Sequence, residues 1–376
     1  MPSTELRQSI LRDAKHLVVK VGTQLVTTRA ESGPAINTRY IGQLIGQLAK
    51  LRDQGREVTL VCSGAVGAGC AELGLRERPT DLAELQAVAA IGQRRLMGHL
   101  HTAAKRRNLS AAQLLLTRGD FDDRVRLLNI RNCIAKLHGL NAIPVLNEND
   151  TVAVEELRFG DNDMLAALMA SASRADALIL LTSADGLLDQ GDTVIDLIES
   201  ALDARQHARD DNTPWGTGGM RNKLDAARLV TEAGEVCVIA PGDKKDVLLK
   251  LVAGEKVGTV FAPAGRKLDS RQRWIALSAR PAGSVTIDDG ASRALTSRGK
   301  SLLASGITQI TGRFDRGDVL LVRDTYGREL ARGLTNYSAD ELALIKGKRS
   351  DQFARILGRA AYTAVIHRDN LVMLES

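Results

Sequence analysis

The chain has 376 residues, 44% hydrophobic and 26% charged, with 51 basic against 45 acidic side chains and a net charge of +6. Its length suits two domains, and its balance is that of an ordinary globular protein. The charge excess is too small to mark a nucleic-acid binder, four scattered cysteines without a CxxC pair argue against a disulfide framework, and no run of about 20 apolar residues predicts a membrane span. A cytoplasmic location is expected.

Short apolar runs alternate with helical patterns from Leu17 to Ala262. "HLVVKVG" reads as a buried strand, "INTRYIGQLIGQLAKLRDQG" as a helix stopped by Gly55, and "EVTLVCSG" as the next strand. A long helix or helix pair follows in "LAELQAVAAIGQRRLMGHLHTAAKRRN". Then come the strand "AAQLLLT", the helix "DDRVRLLNIRNCIAKLHG", the strand "AIPVLNEND", the helix "DNDMLAALMASASR" and the strand "DALILLTSADG". After "GTGGM" the pattern gives helix, strand, helix and strand up to "GTVFA". Continuous apolar strands flanked by helices predict an α/β fold with a doubly wound, mainly parallel sheet, whose ligands bind beyond the carboxyl ends of the strands. The catalytic domain is expected over 1–262.

The texture changes at Pro263. Residues 263–280 set Arg266, Lys267, Arg271, Arg273 and Arg280 against Asp269 alone, and read as a basic linker with a connecting strand. From 281 to 376 the strands are short and turn-punctuated, with the helix "SADELALIKG" among them, which predicts a small mixed β-barrel.

The residues after each predicted strand carry the chemistry. Lys20 ends the first strand beside Gly22, where a backbone can approach a phosphate. Ser63 begins a Ser-Gly-Ala turn into a helix, whose N–H groups suit an anion. Asp150, Asp161 and Asp163, with Asn147, Asn149 and Asn162, crowd into one stretch around a helix start. Helix capping needs one such residue, so the cluster calls for a cationic partner: an amine, a metal or the lysines. "GTGGMRNK" adds Lys223 at another helix start. It is not a Walker A loop, since Leu224 follows the lysine where that loop has Ser or Thr. Two lysines and an acidic cluster around a crevice, without a Ser–His pair or a zinc site, suggest phosphoryl transfer. No general base stands out, which suits a carboxylate acceptor already ionised at neutral pH.

The segments "LVVKVGT", "VCSGAVGAG", "QLLLTRGDFDDR", "IPVLNENDTVA", "FGDNDMLAA", "GTGGM" with its lysine, and "HRD" near the end resemble, in order, the glutamate 5-kinase branch of the amino-acid kinase family. The C-terminal region resembles the PUA barrel that bacterial members carry. The resemblance implies ATP and Mg2+ as cofactors and L-glutamate as acceptor. By motif it implies catalytic roles for Lys20, Lys223, Asp161 and Asp163, and glutamate binding by Ser63, Asp150 and Asn162. It places ATP contacts at Lys20, Gly22, Thr182, Ser183, Thr217, Gly218, Gly219, Met220, Arg221, Asn222 and Lys223. Mg2+ would be held mainly through the ATP phosphates, with Asp161 as the protein's own contact. The family also implies inhibition by proline, a dimer or tetramer, and functional coupling to glutamate-5-semialdehyde dehydrogenase.

Two segments depart from the family pattern: Thr182-Ser183 stands where members read Thr-Asp, and "GLLDQGDTVIDL" lacks an expected insert. Two other readings stay open on the residues. One is a sibling kinase acting on aspartate, acetylglutamate or a nucleoside monophosphate. The other is an RNA-binding role for the barrel, which the small charge excess and few aromatics disfavour.

Overall fold

The computed structural model describes residues 7, 10–30, 33–153, 162–201, 203–207, 219–264, 269–359 and 361–374. The chain divides into two packed units, Met1–Lys267 and Leu268–Ser376.

The first unit is built on eight strands: β1 (His16–Val21), β4 (Glu57–Cys62), β5 (Ser110–Leu116), β6 (Ala142–Glu148), β7 (Ala177–Thr182), β8 (Leu197–Ile198), β9 (Val236–Pro241) and β10 (Thr259–Phe261). Their spatial order is β5-β6-β4-β1-β7-β9-β10-β8, and every pairing but β9–β10 is parallel. A hairpin of β2 (Thr27–Ala30) and β3 (Gly33–Ile36), which apolar patterning does not announce, stands apart from this sheet. The main helices are α1 (Thr38–Asp53), α2 (Ala65–Leu73), α3 (Leu82–Lys105), α4 (Arg124–Gly139), α5 (Asn162–Ser173), α6 (Met220–Glu232) and α7 (Val247–Val252). Side-chain caps start several of them: Asn37 accepts from Tyr40 N, Asp81 from Glu84 N and Asp123 from Val125 N.

The middle of the sheet positions the site. β1 lies between β4 and β7, in register so that Val21 sits beside Cys62 on one side and Leu181 on the other. Three strand ends therefore stop at one level. The chain runs from β1 to β4, out to the edge as β5 and back between them as β6, then crosses to the other side of β1 as β7, which makes this the topological switch point. Alternation along β1 turns Val19 and Val21 into the core shared with α1, and puts Lys20 on the opposite face with Val18.

The second unit holds a five-stranded mixed sheet: β11 (Gly283–Ile287), β12 (Ile307–Gly312), β13 (Val319–Arg323), β14 (Glu329–Thr335) and β15 (Ile366–Met373), ordered β12-β11-β13-β14-β15 with β11 and β13 parallel. Helices α8 (Asp289–Thr296), α9 (Ala339–Ile345) and α10 (Phe353–Leu357) complete it. Its core gathers Val285, Leu320, Val322, Tyr337, Leu342, Phe353 and Ile366. The stretch read as a basic linker with a strand is corrected here. Ser270–Arg273 and Trp274–Ser278 are helical turns, and Ile275, Ala276 and Ala279 bury against Val319, Leu334 and Val372. Its arginines hid an apolar face, and Arg273 itself is buried.

Candidate active site

Lys20, Asp163 and Lys223 meet although they are far apart in sequence. Lys20 comes from the end of β1, Asp163 from the first turn of α5 and Lys223 from the first turn of α6. Lys20 Nζ lies 2.5 Å from Asp163 Oδ1, and Lys223 Nζ donates to Asp163 Oδ2 over 3.0 Å. All three side chains are at least nine-tenths buried. One buried carboxylate thus holds two ammonium groups in a dry place, where charge interactions are strong.

The neighbouring turns suit an anion. α2 starts at Gly64 (φ 111°) and α6 at Gly219, neither with a side-chain cap, and neither first turn carries an acid. Both helix starts direct backbone N–H groups outward. Gly22 has an ordinary extended backbone, and a Cβ added there would only touch Leu181 O at 3.7 Å. The fold itself does not demand glycine at that position. The glycines of "GAVGAG" have a different reason: a Cβ on Gly69 would fall 2.0 Å from Val88 O, so Gly69 serves the contact of α2 with α3.

A second cluster lies beyond β4 and β6. Asn162, the first residue of α5, donates its Nδ2 to Ser63 Oγ at 3.0 Å and to Asn147 Oδ1 at 2.7 Å. Asn147 donates in turn to Gln93 Oε1 at 2.7 Å, and accepts from Glu148 N. All four side chains are buried. Asp150 is half-buried in the turn after β6, where Thr151 Oγ1 donates to Asn149 Oδ1. Cys62, next to Ser63, is a buried thiol pushed up to about 12 by desolvation, with Lys20 pulling the other way, so it stays neutral.

On the other side of β1, Gly242 N donates to Thr182 O at 2.7 Å, and Ser183 Oγ donates to Gln24 Oε1 at 2.9 Å. Lys244 pairs with Asp185 and ties the loops after β7 and β9 together. Met220, Arg221 and Asn222 form the first turn of α6 ahead of Lys223. Asp161, Thr217 and Gly218 lie outside the described residues. The structure thus brings Lys20, Asp163 and Lys223 into one group and Ser63 and Asn162 into another, with Asp150 following the strand that carries Asn147. Gln93 was missed by sequence reasoning. The available signal was a polar residue inside the stripe Val88, Ala89, Gly92, Leu96 and Leu100 that α3 buries.

Residues 15–240 match the Amino acid kinase family, and residues 283–357 match the PUA domain. A glutamate 5-kinase of Synechococcus sp. (strain JA-3-3Ab) is 46% identical over 369 residues, covering 96% of this chain and 98% of the relative. A glutamate 5-kinase of Caldanaerobacter subterraneus subsp. tengcongensis is 46% identical over 366 residues, covering 96% and 98%. A third glutamate 5-kinase, from Citrifermentans bemidjiense, is 43% identical over 376 residues, covering 98% and 100%. The chain belongs to the amino acid kinase family, with a PUA domain following the kinase fold.

Proposed function

We propose that this chain transfers the γ-phosphoryl group of ATP to the γ-carboxylate of L-glutamate, giving ADP and γ-glutamyl phosphate, the first step of proline biosynthesis. The observation that carries the reading is the buried Lys20–Asp163–Lys223 group beside the Ser63–Asn162–Asn147 cluster, in a chain similar over nearly its whole length to glutamate 5-kinases. The γ-carboxylate is the nucleophile and is already ionised, so no protein group has to take a proton. Lys20 and Lys223 stabilise the negative charge that spreads over the phosphoryl oxygens, and Asp163 holds both ammonium groups in place. Gly22, Thr182, Ser183 and the segment from Thr217 to Lys223 hold the nucleotide. Ser63, Asp150 and Asn162 hold glutamate, with Asp150 facing its ammonium group.

Asp163 is committed to two lysines, which fits a magnesium ion carried mainly by the ATP phosphates, with Asp161 as the protein's candidate contact. When bound, that ion neutralises phosphate charge. The same reading carries proline as an inhibitor acting at the glutamate site, sensed through the segment 150–160. Proline without effect on initial rates at subsaturating glutamate refutes this. It carries a homo-oligomer, dimer or tetramer, checked by light scattering. It also carries functional coupling to glutamate-5-semialdehyde dehydrogenase, checked by co-sedimentation. Among the described residues no helix is long and apolar enough to cross a membrane. A cytoplasmic enzyme without RNA as a partner is proposed, and a salt-sensitive tRNA shift contradicts the latter.

ADP release with a panel of acceptors tests the central reading. Glutamate alone should support turnover, and hydroxylamine should trap an acyl phosphate. Release with aspartate or acetylglutamate and none with glutamate overturns it.

A further inference from the structure

We infer that Gln93 is a positioning residue for the acceptor site: through the Asn147 amide it fixes how Asn162 presents itself to the substrate. The inference rests on the proposed role of Asn162 in binding the acceptor.

The hydrogen bonds run in one direction because one member cannot turn over. The backbone N–H of Glu148 can only donate, and it donates to Asn147 Oδ1 at 2.9 Å. That orients the Asn147 amide, so its Nδ2 must find an acceptor elsewhere, and the acceptor is Gln93 Oε1 at 2.7 Å. Asn147 Oδ1 also receives Asn162 Nδ2, whose other hydrogen goes to Ser63 Oγ. Both amide hydrogens of Asn162 are then used within the protein. Its Oδ1 is buried and has no hydrogen-bond partner among the described residues. A buried amide oxygen left as an acceptor calls for a donor, and the ammonium group of an amino-acid substrate is such a donor.

The helix that carries Gln93 is held unusually close. A Cβ added to Gly92 would lie 1.9 Å from Ala65 O and 2.2 Å from Gly69 N, so the backbone of α3 rests directly on the first turns of α2. Ser63 stands just before α2. The two ends of the amide chain, Gln93 and Ser63, are therefore set by two helices in backbone contact. Gln86 precedes Gln93 by seven residues, hence on the same face of α3, and its Nε2 donates to Ala153 O at 3.2 Å. One face of α3 thus supports both the strand end at Asn147 and the turn that follows Asp150. Removing the Gln93 acceptor leaves Asn147 Nδ2 buried without a partner, and the side chain relieves this by rotating away from Asn162.

Steady-state ADP release by the full chain tests the inference with Gln93→Met, which keeps the length and loses the acceptor, and Gln93→Glu, which keeps an acceptor oxygen. Gln93→Met should raise the glutamate KM about tenfold, the size of one lost hydrogen bond, while the ATP KM stays within about twofold. Gln93→Glu should bring the glutamate KM back to within about threefold of wild type. Gln93→Ala removes the acceptor without crowding the helix contact and carries the same expectation as Gln93→Met, should that variant fold poorly. An unchanged glutamate KM, equal rises for glutamate and ATP, or no recovery in Gln93→Glu overturns the inference. The wild-type control separates this from the acceptor assignment. If wild type ignores glutamate, that assignment falls, and the same KM comparison is made with the acceptor the panel identifies.

Discussion

Lys223 donates to Asp163 across the starts of two helices, over 3.0 Å and a sequence separation of 60 residues. The same carboxylate holds Lys20, so one buried acid sets the distance between two ammonium groups. Replacing Asp163 by Asn keeps the shape and removes the charge. Both ion pairs are then lost in a dry site, and breaking a buried pair by removing one partner costs about 3–5 kcal/mol. Asp163→Asn should lower the unfolding free energy measurably in urea titration and reduce kcat by at least about 100-fold. A variant with wild-type kcat would show that Asp163 does not organise the lysines for transfer.

Lys223 itself is expected to act on the transferring group. Its truncation to Ala removes a charge from the transition state and leaves the Ser63–Asn162 cluster untouched. Turnover of Lys223→Ala should fall on the order of 100- to 1000-fold with the glutamate KM largely kept. Turnover within a few-fold of wild type would remove Lys223 from the transfer site.

Asp150 occupies the turn after β6, half-buried and two residues beyond the strand end. Its assigned role is to face the ammonium group of glutamate. For Asp150→Ala the emphasis reverses: loss of a charged hydrogen bond costs roughly 1.5–3 kcal/mol, so the glutamate KM should rise by about tenfold or more. A KM within about twofold of wild type, with ATP saturating, takes Asp150 out of the substrate site.

Lys20 could be picked out in the sequence because a charged residue inside a continuous apolar strand stands out, and the strand's parallel setting says where it ends. Lys223 stood out through its glycines. That both converge on Asp163 follows from the family resemblance and not from spacing, since their meeting depends on α5 and α6 lying over the same strand ends. Gln93 was hidden for another reason: it has the spacing of a core residue, and only the approach of Asn147 turns it into a functional group. The run from Arg266 to Arg280 misled in the opposite way. Charge density predicted a solvated linker, whereas Ile275, Ala276 and Ala279 follow helical spacing and bury a face. Arg271 and Arg280 stay exposed, while Arg273 is buried along with that turn.

The amino-terminal end of the sheet holds a titrating group remote from the strand ends that carry the lysines. His138, at the end of α4, is packed between Thr59 Oγ1, 3.2 Å from its Nε2, and Arg52 Nη1, 3.4 Å from its Nδ1. His16 meets it edge-on at 5.7 Å. Burial, then His16 and Arg52, push His138 from its ordinary 6.5 down to about 4. The neutral ring is the form the fold accepts. Unfolding lets the ring take up a proton at any pH below 6.5, so its contribution to stability is whole above 6.5. It is lost as pH falls from there and is gone below about 4. After allowance for solvent screening the loss is about 2 kcal/mol. Carboxylates titrate in the same window, so the measurement is the difference between wild type and His138→Gln in urea unfolding at several pH values. Wild type should lose stability relative to the variant between pH 6.5 and 4, with the difference constant above 7. Parallel curves over that range would show that burial does not hold His138 neutral in the folded chain.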